Sequence, residues 1–383
     1  MSDDEADPEL LALLRQHLQG KPPINNDPET GVLESAEYVY NNSIDVALDM
    51  RASKAAATAI YSQMQQKAYS PATWSEHDLH PKAEGGPDTV AFIFTMDLLN
   101  FCFWSELSEE KRFAIEYRGK RWTGYWSLVA ALQRALDEVY LKFRRLIIFI
   151  FYIKGIPITD PHFWQNEDEF TLNVLRNVFR SCTDEEIPLL KERLDCLREA
   201  GNVLYDKYKC HPVNLIAAAD GSAARLVNLL ARDFSCFRDE HGFDGRKKPI
   251  RLLKRAQILV ADLWACFEGE DFGDFWDIDK ITMFADYRVP QMLNSMGCLL
   301  YSPPLDSAIR SKKNIPSGSN WELQLRACSI WCVELIRREI LTEHPEAEIN
   351  AILIDFFLYD TIKEMELNGQ DKILHHRTRS IWY

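Results

Sequence analysis

Strand-like alternation is scarce in these 383 residues, and the short words that mark common catalytic folds are missing. Neither GxGxxG nor GxxxxGK[ST] occurs, which removes the dinucleotide and P-loop classes. GxSxG is also absent, and Asp220-Gly221-Ser222 carries no nucleophile elbow, so serine-hydrolase chemistry has no carrier. Positive charge is sparse: 44 Lys and Arg face 58 Asp and Glu, a formal charge of −14. Because phosphate backbones are gripped by clustered Lys and Arg, stable nucleic-acid binding is not expected, whereas a small anion in a local basic pocket is compatible. The nine cysteines form no CxxC pair. Cys328 and Cys332 stand at helical spacing with no histidine nearby, so neither a metal site nor a cofactor is expected, and reduced buried thiols of a cytoplasmic or nuclear protein are. The opening MSDDEADPE lacks the apolar core of a secretory signal. No apolar run reaches the roughly 20 residues of a membrane span.

What is present is helical periodicity. The alanine-rich 35–68 segment, WSLVAALQRALDE, FTLNVLRNVFR, the 186–208 and 213–234 segments, KRAQILVADLW, ELQLRACSIWCVELIRREIL and EAEINAILIDFFLYDTIKEM all carry apolar residues at three- and four-residue steps. Gly and Pro punctuate the gaps, and no repeat period is visible. A mainly α protein follows: a mobile lead-in over 1–30, with a leucine-rich amphipathic stretch before GKPPINNDPETG, then one large helical domain over 31–383. Within it, Val139 to Lys154 (VYLKFRRLIIFIFYIK) is an apolar and basic run that looks inserted, and its in-frame length and its Val and Lys ends are what a translated retained intron would give.

Rings and charges crowd together in FGDFWDIDKITMFADYRVPQ, residues 272–291. Surface loops seldom combine so many rings with so many carboxylates, because rings favour burial and buried carboxylates need partners. TMFADYRVPQ, KRAQILVADLW at 254–264 and HHRTRS at 375–380 resemble the queuosine salvage proteins, the queuosine 5'-phosphate N-glycosylases. NFCFW at 100–104, GYWSLVAAL at 124–132, FRDE at 237–240, SIWCVE at 329–334 and DFFLYD at 355–360 resemble the same family, from about residue 35 onward. The resemblance implies a mainly helical fold distantly similar to helix-hairpin-helix DNA glycosylases, although the glycine-rich hairpin of those enzymes is missing. It also implies hydrolysis of queuosine 5'-phosphate to queuine, which is salvaged into tRNA. A nucleic-acid base glycosylase and a non-catalytic helical interaction protein are the competing classes.

Cleaving an N-glycosidic bond passes through an oxocarbenium-like sugar, which calls for a carboxylate beside C1'. Asp286, inside FADYRVPQ and flanked by rings, is the expected catalytic group, with Lys254 balancing it or binding phosphate. Arg288 either joins the site or pairs with Asp286. Trp104, Trp276, Phe284 and Tyr287 are expected as walls for a flat base, though rings are more often plain core. Asp279 would read the base or its cationic arm, or else cap a helix ahead of KITMFADY. Arg255, His376 and Arg377 are expected at the phosphate. For Lys254 and Arg255 the competing reading is a solvated edge of an amphipathic helix, and for the basic tail a solvated end, against which Ile381, Trp382 and Tyr383 argue for docking.

Overall fold

The computed structural model describes residues 28–145, 156–368 and 373–383. Among the described residues fifteen α-helices surround one continuous apolar core, and the strands form only three short antiparallel pairs: 46–48 with 299–301, 115–117 with 120–122, and 240–241 with 250–251. Of the expected lead-in, residues 1–27 lie outside the described residues, while Thr30 is buried and Glu29 pairs with Lys280. The first part of the 139–154 run continues the helix Tyr125–Arg145, and 146–155 lie outside the described residues.

Two long helical segments are broken. The 35–68 segment divides into Val32–Asn41 and Met50–Gln66, with strand 46–48 between them. Asp49 starts the second helix by accepting from the amides of Arg51 and Ala52 at 2.8 and 2.9 Å, the usual N-cap chemistry. The 213–234 segment divides at Asp220 and Gly221, both at positive φ. Gly221 also lies under the Trp276 ring, 3.4 Å from where a Cβ would stand, and its carbonyl accepts from the Trp276 amide.

Asn320–Glu343 is the central helix, packed against Val32–Asn41 and Met50–Gln66. Leu323 through Glu334 are all buried, so this helix is covered on every side rather than on one stripe. Arg326 sits in its second turn. Its guanidinium holds Asp239 at 3.2 and 2.5 Å and Glu322 at 3.1 Å, donates to the Ala285 carbonyl at 2.7 Å, and lies over the Tyr383 ring at 4.3 Å. Lys254–Cys266 packs beside Pro71–Ser75 and Pro87–Leu98. The solvated-edge reading of its first residues is overturned, because Lys254 and Arg255 are both buried.

Removing one partner of a buried charge network leaves the others uncompensated, at a cost of about 3–5 kcal/mol. Arg326→Met is expected to lose stability on that scale in urea titration. A loss under about 1 kcal/mol, the range of an exposed pair, would show that the network contributes little.

Candidate active site

Three elements converge on a cavity of about 420 Å³. Lys254, Ile258 and Asp262 reach it from one face of the Lys254–Cys266 helix, four residues apart, and Asp355, Tyr359 and Lys363 do the same from Ala351–Leu367; such spacing stacks side chains along one side of a helix. The 284–288 loop supplies Phe284, Asp286, Tyr287 and Arg288. Arg326 fixes the relation between the first and third elements. Its partner Asp239 sits at the start of the Lys254 helix, accepting from the Lys254 amide at 3.4 Å, and another of its acceptors is the Ala285 carbonyl, just before Asp286.

Asp286 is held at one oxygen. Oδ1 accepts from the amides of Arg288 at 2.7 Å and Val289 at 3.1 Å, at the start of the helix Arg288–Ser295. Oδ2 has no donor among the described residues, and the residue lines the cavity. Burial pushes the Asp286 carboxyl up; the Lys254 ammonium and the two amides oppose that. Asp355 accepts from the Phe284 amide at 2.9 Å, and burial together with the Asp286 charge holds its carboxyl well above the usual range. Lys254 is lowered by burial while Asp286, Asp97 and Asp355 sustain its charge. The pattern is two carboxyls, both raised by burial and Asp355 the more strongly, beside a shared cation.

The far wall is aromatic. Trp74 stacks on His80 with centroids 3.7 Å apart, and Trp126 stacks on His77 at 3.4 Å. His80 Nδ1–H donates to the Trp74 carbonyl at 2.7 Å, which leaves Nε2 to accept from the Tyr125 hydroxyl at 2.8 Å. Burial lowers His80 to about 3, so this ring is a neutral support. At the other end Arg288 and Lys363 share Glu366, at 2.7 and 2.9 Å.

Of the residues singled out from sequence, Asp286, Lys254, Phe284, Tyr287 and Arg288 meet in this cavity. Six do not line it. Trp104 donates from its indole to the Thr378 carbonyl at 2.8 Å and carries Arg377 and Arg379 over its ring. Trp276 is 58% exposed beside Gly221. Asp279 is exposed on the single turn Ile278–Lys280; no helix spans KITMFADY, so the capping alternative is overturned too. Arg255 donates to the carbonyls of Leu98 and Cys236 under the rings of Phe101 and Phe237. His376 is buried against the Tyr383 hydroxyl at 3.2 Å. The tail is docked, with the Arg377 carbonyl accepting from the Ile315 amide, but only Tyr383 of its residues reaches the cavity. The thiols are free, and Cys182 is exposed, unlike the other eight.

Arg288 turns to Glu366, not to Asp286. Asp277, the third acid of the crowded stretch, accepts from Ser222 Oγ and the amides of Ala223 and Ala224, and so caps the helix Ala223–Asp233. Sequence reasoning missed Trp74, His77, Tyr125, Trp126, Asp262, Asp355, Tyr359 and Lys363. Some signal existed: GYWSLVAAL contains Tyr125 and Trp126, and DFFLYD contains Asp355 and Tyr359. Among the described residues no group of three or more His, Cys, Asp or Glu side chains could hold a metal ion, and no helix is long and apolar enough to cross a membrane.

Comparison with known proteins gives the family. The family model described as queuosine salvage protein matches residues 79–383. A Schizosaccharomyces pombe protein named queuosine 5'-phosphate N-glycosylase/hydrolase is 42% identical over 92% of this chain and 99% of its own length. Proteins of the same name from Nematostella vectensis and Mus musculus are each 38% identical, over 91% and 93% of this chain and 97% and 99% of their own. With a match of that extent, and relatives aligned nearly end to end, the chain belongs to the queuosine salvage protein family.

Proposed function

We propose that the chain hydrolyses the N-glycosidic bond of queuosine 5'-phosphate, releasing queuine and ribose 5-phosphate. One observation carries the reading: a carboxylate held at one oxygen by two amides, with a buried lysine beside it and the other oxygen toward the cavity. Asp286 stabilises the positive charge that develops at C1' and orients the attacking water, since a preorganised charge in a water-poor site acts with little reorganisation. Queuine lacks N7, so protonation there cannot activate the leaving base, and the sugar side carries more of the barrier. Asp355, protonated, donates to the sugar hydroxyls. The base lies between Phe284 and the wall of Trp74 and Tyr125.

The 5'-phosphate takes Arg288 and Lys363. Both line the cavity, both are prealigned by Glu366, and Lys254 is already engaged with three carboxyls. Binding energy at this remote group fixes the sugar against Asp286 and so raises the rate.

Asp286→Asn keeps the shape and removes the charge. It is expected to fold and bind substrate while kcat falls roughly a hundredfold or more, the range for such groups; mass detection of free queuine measures it, and a well-folded variant keeping over about a third of the rate would place the chemistry elsewhere.

The pH profile follows from the same groups. Asp286 works ionised and burial raises it above 3.8, so kcat/KM falls as pH drops through a value above 3.8. Lys254 works charged and is lowered from 10.5, so a second fall comes below 10.5 as pH rises. Asp286→Asn should lack the acid limb, and a wild-type profile flat down to pH 4 would contradict the assignment.

For the phosphate end, Arg288→Ala and Lys363→Ala are each expected to cut kcat/KM for the 5'-nucleotide at least about tenfold, or 1.4 kcal/mol, with little change for the nucleoside. Equal loss on both substrates would refute the assignment.

A further inference from the structure

Beneath the aromatic end of the cavity lies a pair of carboxyls that the reaction above does not use. Asp97, at the end of the helix Pro87–Leu98, is fully buried, and Asp262 is 1% exposed. Asp97 Oδ1 accepts from Asn100 Nδ2 at 3.1 Å, while its Oδ2 has no donor among the described residues. The Asp262 carboxyl interacts with it as a hydrogen-bonding partner. Two carboxylates cannot satisfy each other. One proton between them can, and it cures the orphaned oxygen: burial raises Asp97 to about 7 and holds Asp262 well above the usual range, opposed by nearby Lys254.

Only Asp262 of the pair lines the cavity. Its Oδ1 accepts from the Trp74 indole at 3.0 Å, which fixes the carboxyl in register with the ring wall. It stands eight residues beyond Lys254 on the same helix, about 12 Å along the axis at 1.5 Å per residue, and therefore beyond the sugar site toward the base. The other lining acids are otherwise engaged or placed: Asp286 and Asp355 are held by amides around Lys254, Asp360 is bound to Tyr69, and Glu76 is exposed at the rim.

Resting on the proposed function, we infer that Asp262 is the specificity residue for the base, accepting from the N–H edge of a guanine-like lactam, with Asp97 as its positioning residue through a shared proton. Whichever carboxyl carries that proton, Asp262 keeps lone pairs free for the ring N–H and the exocyclic amine of such a base. An adenine-like edge has an acceptor at the corresponding ring nitrogen and meets Asp262 lone pair to lone pair. A buried acceptor left unpaired in this way is the stronger form of discrimination. The shared proton also limits the pair to one negative charge in a cavity that already holds Asp286.

The test uses bases without sugar. Competition binding to the wild type should favour 7-deazaguanine over 7-deazaadenine by roughly a hundredfold or more, as expected when a buried polar group is left unpaired. Asp262→Leu should collapse that ratio to within about threefold while leaving ribose 5-phosphate binding unchanged; on the scale where tenfold is 1.4 kcal/mol, the two results are well separated. Turnover of 4-nitrophenyl ribofuranoside 5-phosphate, whose leaving group has no lactam edge, should fall less than about threefold in the variant against a hundredfold or more for queuosine 5'-phosphate. A purely structural role predicts equal losses on both substrates and an unchanged base preference, and that result overturns the inference. Should Asp262→Leu not fold, difference infrared spectroscopy on the wild type decides. The carbonyl band of a protonated carboxyl should shift on adding 7-deazaguanine, distinct from the Asp355 band that ribose 5-phosphate shifts, and no such separate shift overturns the inference. Wild-type protein that binds 7-deazaguanine with the stated preference yet cleaves neither substrate would refute the parent function and leave the base site standing.

Discussion

The guanidinium of Arg326 is the constraint on which the site depends. A catalytic carboxylate and its lysine are useful only at a fixed separation, yet here they come from chain segments 32 residues apart, as their numbers show. Arg326 reaches both: through Asp239 it holds the first turn that carries Lys254, and through the Ala285 carbonyl it holds the loop that carries Asp286. A lysine there could not do this, because one ammonium lacks the planar fork that meets a carboxylate and a carbonyl together. The cost of burying that charge is offset by two acids and the Tyr383 ring. This also explains why the basic tail is docked. Its last ring covers Arg326 and then forms part of the cavity wall.

The readable part of the site was the part whose residues are close in sequence. FADYRVPQ combines a turn-forming acid with the start of a helix, so Asp286 carries both its chemistry and its anchoring amides within three residues. Helical type was legible from periodicity for most of the chain, but the breaks were not. The interruption at Asp220 and Gly221 depends on a ring arriving from residue 276, and strand 46–48 depends on a partner at 299–301. Basic residues misled for a related reason. Charge pattern shows that Arg255 and His376 are unusual in an acidic chain, but not that one clamps carbonyls beneath the core and the other packs on a phenol. Lys363 was invisible because a lysine near the end of an amphipathic helix has no local feature that separates it from a solvated one.

The composition itself acquires a physical reading from the cavity. An acidic protein that takes a phosphorylated substrate has to separate its anions from the phosphate. Here each group has its own partners: Arg288 and Lys363 share Glu366, Lys254 is sustained by Asp286 and Asp355, and Asp262 accepts from the Trp74 indole. Low dielectric makes each charge more effective and each unpaired charge more costly. Burial raises Asp355, Asp262, Asp97 and Asp286 alike, Lys254 opposes it at each, and at Asp286 two backbone amides oppose it as well. What distinguishes Asp286, the proposed catalytic aspartate, from its neighbours is the pair of backbone amides at the start of Arg288–Ser295, a feature of local chain geometry rather than of residue type.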